Sequence, residues 1–302
     1  MHLDATIETS PSVRTVYARW FPWLVLLDKK WSSDHIGVIF PADDEKRGLW
    51  DVAWGTYVTF CQAYDEPFVI LRQEYRRALD RIGSVPQLKH AQKDADERIA
   101  EHLMELYWRG RLSLNPPDEL LELLWSKAPP IIKARAIGFV GFSLHNTKDE
   151  VPKGILKRLQ ELWEYRMLKL KDVAADSEST KELEEFGWWV ARGKFEPAWA
   201  LSQLEIVLKI SGGRIEIGHL IMERLANYAT NHTATALHCA EMMIKGEKKG
   251  WGVLSWRDSL KVILQVAGAS ANANIRRSAG DIIHLLGRLG HSGFREILPK
   301  DA

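Results

Sequence analysis

Apolar residues recur at three- and four-residue steps along most of the chain, the repeat of a helix that buries one side. Trp50, Trp54, Tyr57 and Cys61 form one such stripe, and Phe68, Leu71, Tyr75 and Leu79 form the next. Ile99, Leu103, Leu106 and Tyr107 make a third, followed by a leucine run from Leu120 to Leu124 and an apolar stretch from Ile131 to about Leu144. Leu156, Leu159, Leu162 and Trp163 continue the series, as do Trp199, Leu201, Leu204 and Leu208. Strict apolar–polar alternation is almost absent. Val38-Ile39-Phe40 is the one tempting β piece, and it is too short to build a sheet.

Proline and glycine punctuate this pattern. Ser10-Pro11 reads as an N-cap with proline in the first turn, opening a helix expected to reach about Trp31 with a kink at Pro22. Asp43, Asp44 and Glu45 suit the positive N-terminal end of the next helix. Pro67, Pro86, Pro116-Pro117, Pro129-Pro130, Pro152 and Pro197 each precede or open a stripe, while Gly83, Gly110 and Gly212-Gly213 close one. After Gly213 three helices are expected: one ending near Lys245, one from Ser255, and one from Ala271 to Leu289. The piece from Phe294 to Leu298 is expected to fold back as a cap.

These segments predict an all-α chain of roughly a dozen helices joined by short connections of the length found between antiparallel neighbours. Many short amphipathic helices suit a stack better than one compact bundle, so the expected architecture is an α-α superhelix, a HEAT/TPR-like solenoid of helix pairs. No fixed-period motif occurs, and the pair spacing of roughly 35 to 45 residues suits degenerate HEAT-like units. Lys171 to Glu185 is polar and reads as a loop or boundary between helical repeats over 1–170 and 186–302.

Composition narrows the function classes. Lys and Arg (41) nearly cancel Asp and Glu (40), and a net charge of +1 supplies no global field toward nucleic acid or an anionic membrane. The two cysteines, Cys61 and Cys239, form no metal or disulfide framework and read as reduced core thiols in a cytoplasmic protein. The start of the chain lacks the basic and apolar regions of a signal peptide. The apolar run Trp20–Leu27 is broken by Pro22 and far short of the ~20 residues that span a bilayer, so no membrane partner is expected.

Catalytic signatures are missing from the sequence. It has no phosphate-binding glycine loop, no HExxH, no CxxC and no histidine grouping at metal-ligand spacing. The cluster Asp43-Asp44-Glu45-Lys46 faintly echoes a metal-dependent nuclease, but it opens a helix rather than sitting on strands. No catalytic residue, cofactor or metal is therefore expected, and the chain reads as a non-enzyme. Thirteen tryptophans stand out. Indoles serve as wedges between helix layers or as hot spots for a partner. Trp188 and Trp189 are adjacent, so on a helix one of them is expected to face outward. The candidate partner-binding residues are Trp188, Trp189, Trp251, Trp256 and Arg257. Under the alternative reading of a nucleic-acid-binding helical stack, related in style to HEAT-like DNA glycosylases, Arg76, Arg111, Arg276 and Arg277 are the candidate phosphate contacts.

Several phrases carry a family resemblance. Asp51-x-x-Trp54-x-x-Tyr57, Phe186-Gly187-Trp188-Trp189, Trp251-Gly252 with Trp256-Arg257, and Leu289-Gly290-His291-Ser292-Gly293-Phe294-Arg295 resemble the C-terminal helical regions of large bacterial STAND-type nucleotide-binding proteins implicated in anti-phage defence. The resemblance implies partner binding or sensing by the helical stack, with the chemistry in other domains, so no site residue is carried over. The very apolar first helix lacks the polar outer face of a capping repeat. The expectation is that the chain continues into a larger protein at that end, or docks a protein partner there.

Overall fold

The computed structural model describes residue 3 and residues 10–83, 90–174, 177–247 and 251–299, without the side chains of 90–94 and 251. Pro86 thus lies outside the described residues. The described residues are helical, with no strand among them. They form two compact units, Met1–Ala136 and Ile137–Ala302.

The first unit starts with four short helices, α1 (Pro11–Arg19), α2 (Phe21–Leu27), α3 (Lys29–Asp34) and α4 (Ile36–Ile39). The single kinked helix expected to about Trp31 is broken twice, at Trp20 and at Asp28. Trp20 ends α1 and starts α2, which carries Pro22 in its first turn. Asp28 is extended and its carboxylate accepts from the Trp31 amide at 2.9 Å, starting α3 afresh. Ile36–Ile39 is helical, so the tempting β piece contributes a turn of helix and no strand. Ser10 caps α1 as its sequence suggests.

Four longer helices follow: α5 (Arg47–Phe60), α6 (Asp65–Asp80), α7 (His90–Trp108) and α8 (Glu119–Lys127). Their layering alternates. α1 lies on α5 and α5 on α7, while α2 lies on α6 and α6 on α8. Asp118 caps α8 and also takes both oxygens to Arg72 at 2.7–2.8 Å, fixing α6 to α8. The predicted stripes are the core. Phe21, Phe40, Trp54, Tyr57 and Tyr75 meet largely edge to face, the arrangement their ring quadrupoles favour. Their polar ends need partners: the Trp50 indole donates to Glu74 at 2.6 Å, and Tyr75 Oη meets His102 Nδ1 at 2.7 Å. His102 Nε2 meets the Cys61 carbonyl at 2.9 Å.

A ninth helix, α9 (Pro130–Asn146), contains the division between the units. The second unit continues with α10 (Lys153–Leu170), α11 (Thr180–Glu184), α12 (Phe186–Ala191), α13 (Pro197–Ser211), α14 (Gly218–Tyr228), α15 (Thr233–Gly246), α16 (Trp251–Gly268) and α17 (Ala273–Arg288). Four helices follow Gly213 instead of three, because Ala229–His232 interrupts the first. Here too each helix meets the one two positions along: α11, α13, α15 and α17 in one series, α12, α14 and α16 in the other. A 3-10 turn, Ser292–Ile297, packs on α16 and α17 and buries Phe294, as the expected terminal cap does.

The polar stretch 171–185 lies inside this second unit, and its last third is not a solvated loop. Thr180, Glu182 and Leu183 are buried in α11. Glu182 takes a two-pronged bond from Arg166 at 2.6 and 3.0 Å, both side chains almost fully enclosed. A charge counted as solvating from sequence is therefore one half of an internal pair.

Two outcomes follow. Burial holds the His102 imidazole down to about 4, whereas the unfolded chain takes up a proton near the ordinary 6.5. Its contribution to stability is complete above about pH 6.5 and is lost as pH falls toward 4. Nuclear magnetic resonance titration is expected to find one imidazole neutral at pH 5.5; protonation of every histidine near 6.5 contradicts this burial. Separately, a methyl on Gly141 would meet Trp189 at 2.5 Å and the Trp188 Cβ at 2.6 Å, while one on Gly55 meets nothing within 4 Å. Gly141→Ala is expected to cost about 2 kcal/mol and Gly55→Ala to add about 0.5–1 kcal/mol, both read by denaturant unfolding.

Candidate docking site

The tryptophans singled out in the sequence mostly serve the interior. Trp189 is fully buried among Trp163, Phe186 and Phe195, and its indole donates to the Ile137 carbonyl at 2.8 Å. Trp188, the outward member of the pair, is half-buried with its ring edge-on to Phe142 and His145. Trp256 is also core, pressed against Gly218 of α14 and Gly252 of its own helix. Both Trp189 and Trp256 are thus corrected from surface candidates to interlayer wedges, because an indole fills the gap between two helix layers better than smaller side chains do. The side chain of Trp251 lies outside the described residues. Arg257 is exposed, with its guanidinium against Gly293 of the terminal turn.

The candidate phosphate contacts are mostly engaged within the fold. Arg76 pairs with Glu119 at 3.1 Å, and Arg111 with Asp65 at 2.5 Å. Arg276 donates to the Ser270 and Ala271 carbonyls at 2.9 and 3.1 Å, holding the loop before its own helix. Arg277 is exposed on α17. Arg76 and Arg111 belong to the first unit, Arg276 and Arg277 to the second.

A different feature separates itself from the rest of the surface. α2 turns Phe21 and Val25 inward, yet its outer residues are apolar too. Trp20 is 50% exposed, Trp23 57%, Leu26 73% and Leu27 80%. Val16 of α1, also exposed, lies one turn before Trp20, and at the end of α5 the exposed Phe60 ring carries the Arg19 guanidinium at 5.1 Å. Between α2 and the start of α6 runs a groove of about 820 Å³, floored by Pro22, Trp23, Leu26, Tyr64 and Pro67. Lys29 pairs with Glu66 there, and Arg109 lies 3.5 Å from Asp65. The run Trp20–Leu27 was conspicuous in the sequence. What the sequence did not show is that the proline and Asp28 breaks lay it flat, with one side open.

A smaller concavity of about 440 Å³ lies between α5, α6 and α7, with Trp54, Ala78 and Ile99 inside and Arg47, Asp51, Arg81 and Asp96 around it. Burial pushes the Asp96 carboxyl up to about 6, opposed by the Gly83 amide, which donates to it at 3.3 Å. A carboxyl shifted within a cleft is a usual mark of a working site. The groups lining it are the Trp50 and Trp54 indoles, the Thr56 and Thr59 hydroxyls, two arginines and two carboxylates. Burial pushes both thiols, Cys61 and Cys239, up to about 12, away from the reactive thiolate form. Cys239 is buried, but Cys61 is only half so, its thiol directed at the Arg19 carbonyl 3.2 Å away. No group of three or more potential metal ligands occurs among the described residues, and none of their helices is long and apolar enough to cross a membrane.

No family model matches the chain, and comparisons with curated proteins and with solved structures likewise gave no match.

Asp96 yields a signed test. Its folded pKa lies above the ordinary carboxylate value, so its favourable contribution is present below about pH 4 and is lost as pH rises through 6. Asp96→Asn keeps an acceptor for the Gly83 amide and removes the charge. The variant is expected to gain roughly 1–2 kcal/mol over the parent at pH 7.5, after allowance for water on the open side, and nothing at pH 4. Thermal melts at the two pH values read the difference; an equal change at both contradicts the assignment.

Proposed function

We propose that this chain is a non-enzymatic helical-repeat module that binds a protein partner through the apolar outer face of α1 and α2. The observation that carries the reading is the exposure of Trp20, Trp23, Leu26 and Leu27 on one short helix and its lead-in. A helix apolar all round is ordinarily enclosed on all sides, and contiguous apolar surface of this kind marks interaction sites. Tryptophan is also the residue most enriched among interface hot spots. The alternating contacts of successive helices support the finer architectural reading, an α-α superhelix of HEAT/TPR-like pairs. The resemblance to STAND-type defence proteins adds the proposal that the partner-binding stack works as a sensor in a bacterial defence system. The nucleic-acid alternative is not taken up, because Arg76, Arg111 and Arg276 are committed to carboxylates and carbonyls of the fold.

The test is a paired one. Leu26→Lys combined with Leu27→Lys is expected to change stability by no more than about 0.5 kcal/mol, to abolish binding of a hydrophobic dye by dilute protein, and to lose a protein retained saturably by the parent chain in affinity capture. A loss of several kcal/mol in the double variant, or equal retention of the partner by both proteins, overturns the reading.

A further inference from the structure

Resting on that docking reading, we propose that the occupant of the α1–α2 face is a second copy of this chain, related by a twofold axis. Three features argue for a self-complementary partner. The first is shape. A twofold interface sets one patch against itself, so a ridge must lie beside a groove that fits it. Leu27 forms the ridge, and the groove of about 820 Å³ between α2 and the start of α6, lined by Trp23 and Leu26, runs alongside it. The ridge of each copy enters the groove of the other, and both insertions are satisfied at once.

The second feature is charge. The groove carries Lys29 with Glu66, and Asp65 with Arg109 and Arg111 beside it, so both signs stand along its edge. A facing copy therefore meets both signs, and antiparallel approach sets Lys29 of one copy toward Glu66 of the other. The chain's net charge of +1 adds no appreciable repulsion between copies.

The third feature is area. With ~150–250 Å² for a full aromatic side chain and somewhat less for leucine, the exposed parts of Trp20, Trp23, Leu26, Leu27 and Tyr64 come to roughly 500–700 Å². That is at or above the top of the ~300–600 Å² range for the largest apolar patch on a typical monomer and approaches the ~800 Å² that each partner gives to a standard interface. The groove edges supply the polar rim.

Sedimentation equilibrium of the full 302-residue chain from about 1 to about 100 μM, with dye binding measured on the same samples, tests this. The expected result is a species of twice the 34.5 kDa chain mass, with dye binding falling as it forms and the Leu26→Lys, Leu27→Lys variant staying monomeric and folded. A monomer at ~100 μM that binds dye overturns the second copy and leaves the docking reading standing. A monomer that binds no dye overturns both. A dimer that persists in the double-lysine variant overturns the placement on α2, and open-ended assembly overturns the twofold arrangement.

Discussion

Many of the amphipathic helices in this chain set their apolar stripe against the helix two places further along. α5 is covered by α7, α6 by α8, α13 by α15 and α14 by α16. Everything else in the fold is arranged around that constraint. Indoles fill the wider gaps between layers, as Trp189 and Trp256 do, and glycines such as Gly141 let them in. Several polar groups trapped between layers are paired in place, as with Trp50 on Glu74 and Arg166 on Glu182. The rule fails at α2, whose inner face rests on α6 while its outer leucines and tryptophans meet no covering helix among the described residues.

Most of the helical grammar was legible in the chain because its signals are local. Ser10, Asp118 and Gly212 cap or stop helices where the sequence places them, and the stripes at Trp50–Tyr57 and Phe68–Leu79 are buried as their spacing requires. The errors have non-local causes. Which face of α12 meets α9 and α10 decides that Trp189 is interior, and no spacing rule contains that information. Lys171–Glu185 looked solvated because Glu182 is charged, and its partner Arg166 sits sixteen residues away on another helix. The break between Leu27 and Lys29 depended on Asp28 acting as a cap, a role that a single acidic residue does not announce.

The candidate functional residues divide along the same line. Arginines that looked free in sequence are paired with carboxylates brought near by folding, as Arg76 is with Glu119 and Arg111 with Asp65. Exposed pairs of this kind contribute little stability, but they remove the unbalanced positive charge that phosphate recognition needs. The apolar run Trp20–Leu27 behaves in the opposite way. Its Phe21 and Val25 are core, while Trp23, Leu26 and Leu27 become the surface on which the functional account depends.

That account stands on one claim, that the outer face of α2 is open to water in the folded, dilute chain. The most direct measurement is the rate at which a thiol reagent labels Leu27→Cys in a background where Cys61 and Cys239 are serine, compared with the same protein in denaturant. The account predicts labelling of the folded protein nearly as fast as of the unfolded one, with circular dichroism confirming that the helices are intact. Labelling slowed by orders of magnitude in the dilute folded protein would mean that this face is already covered by the chain itself, and would contradict the account.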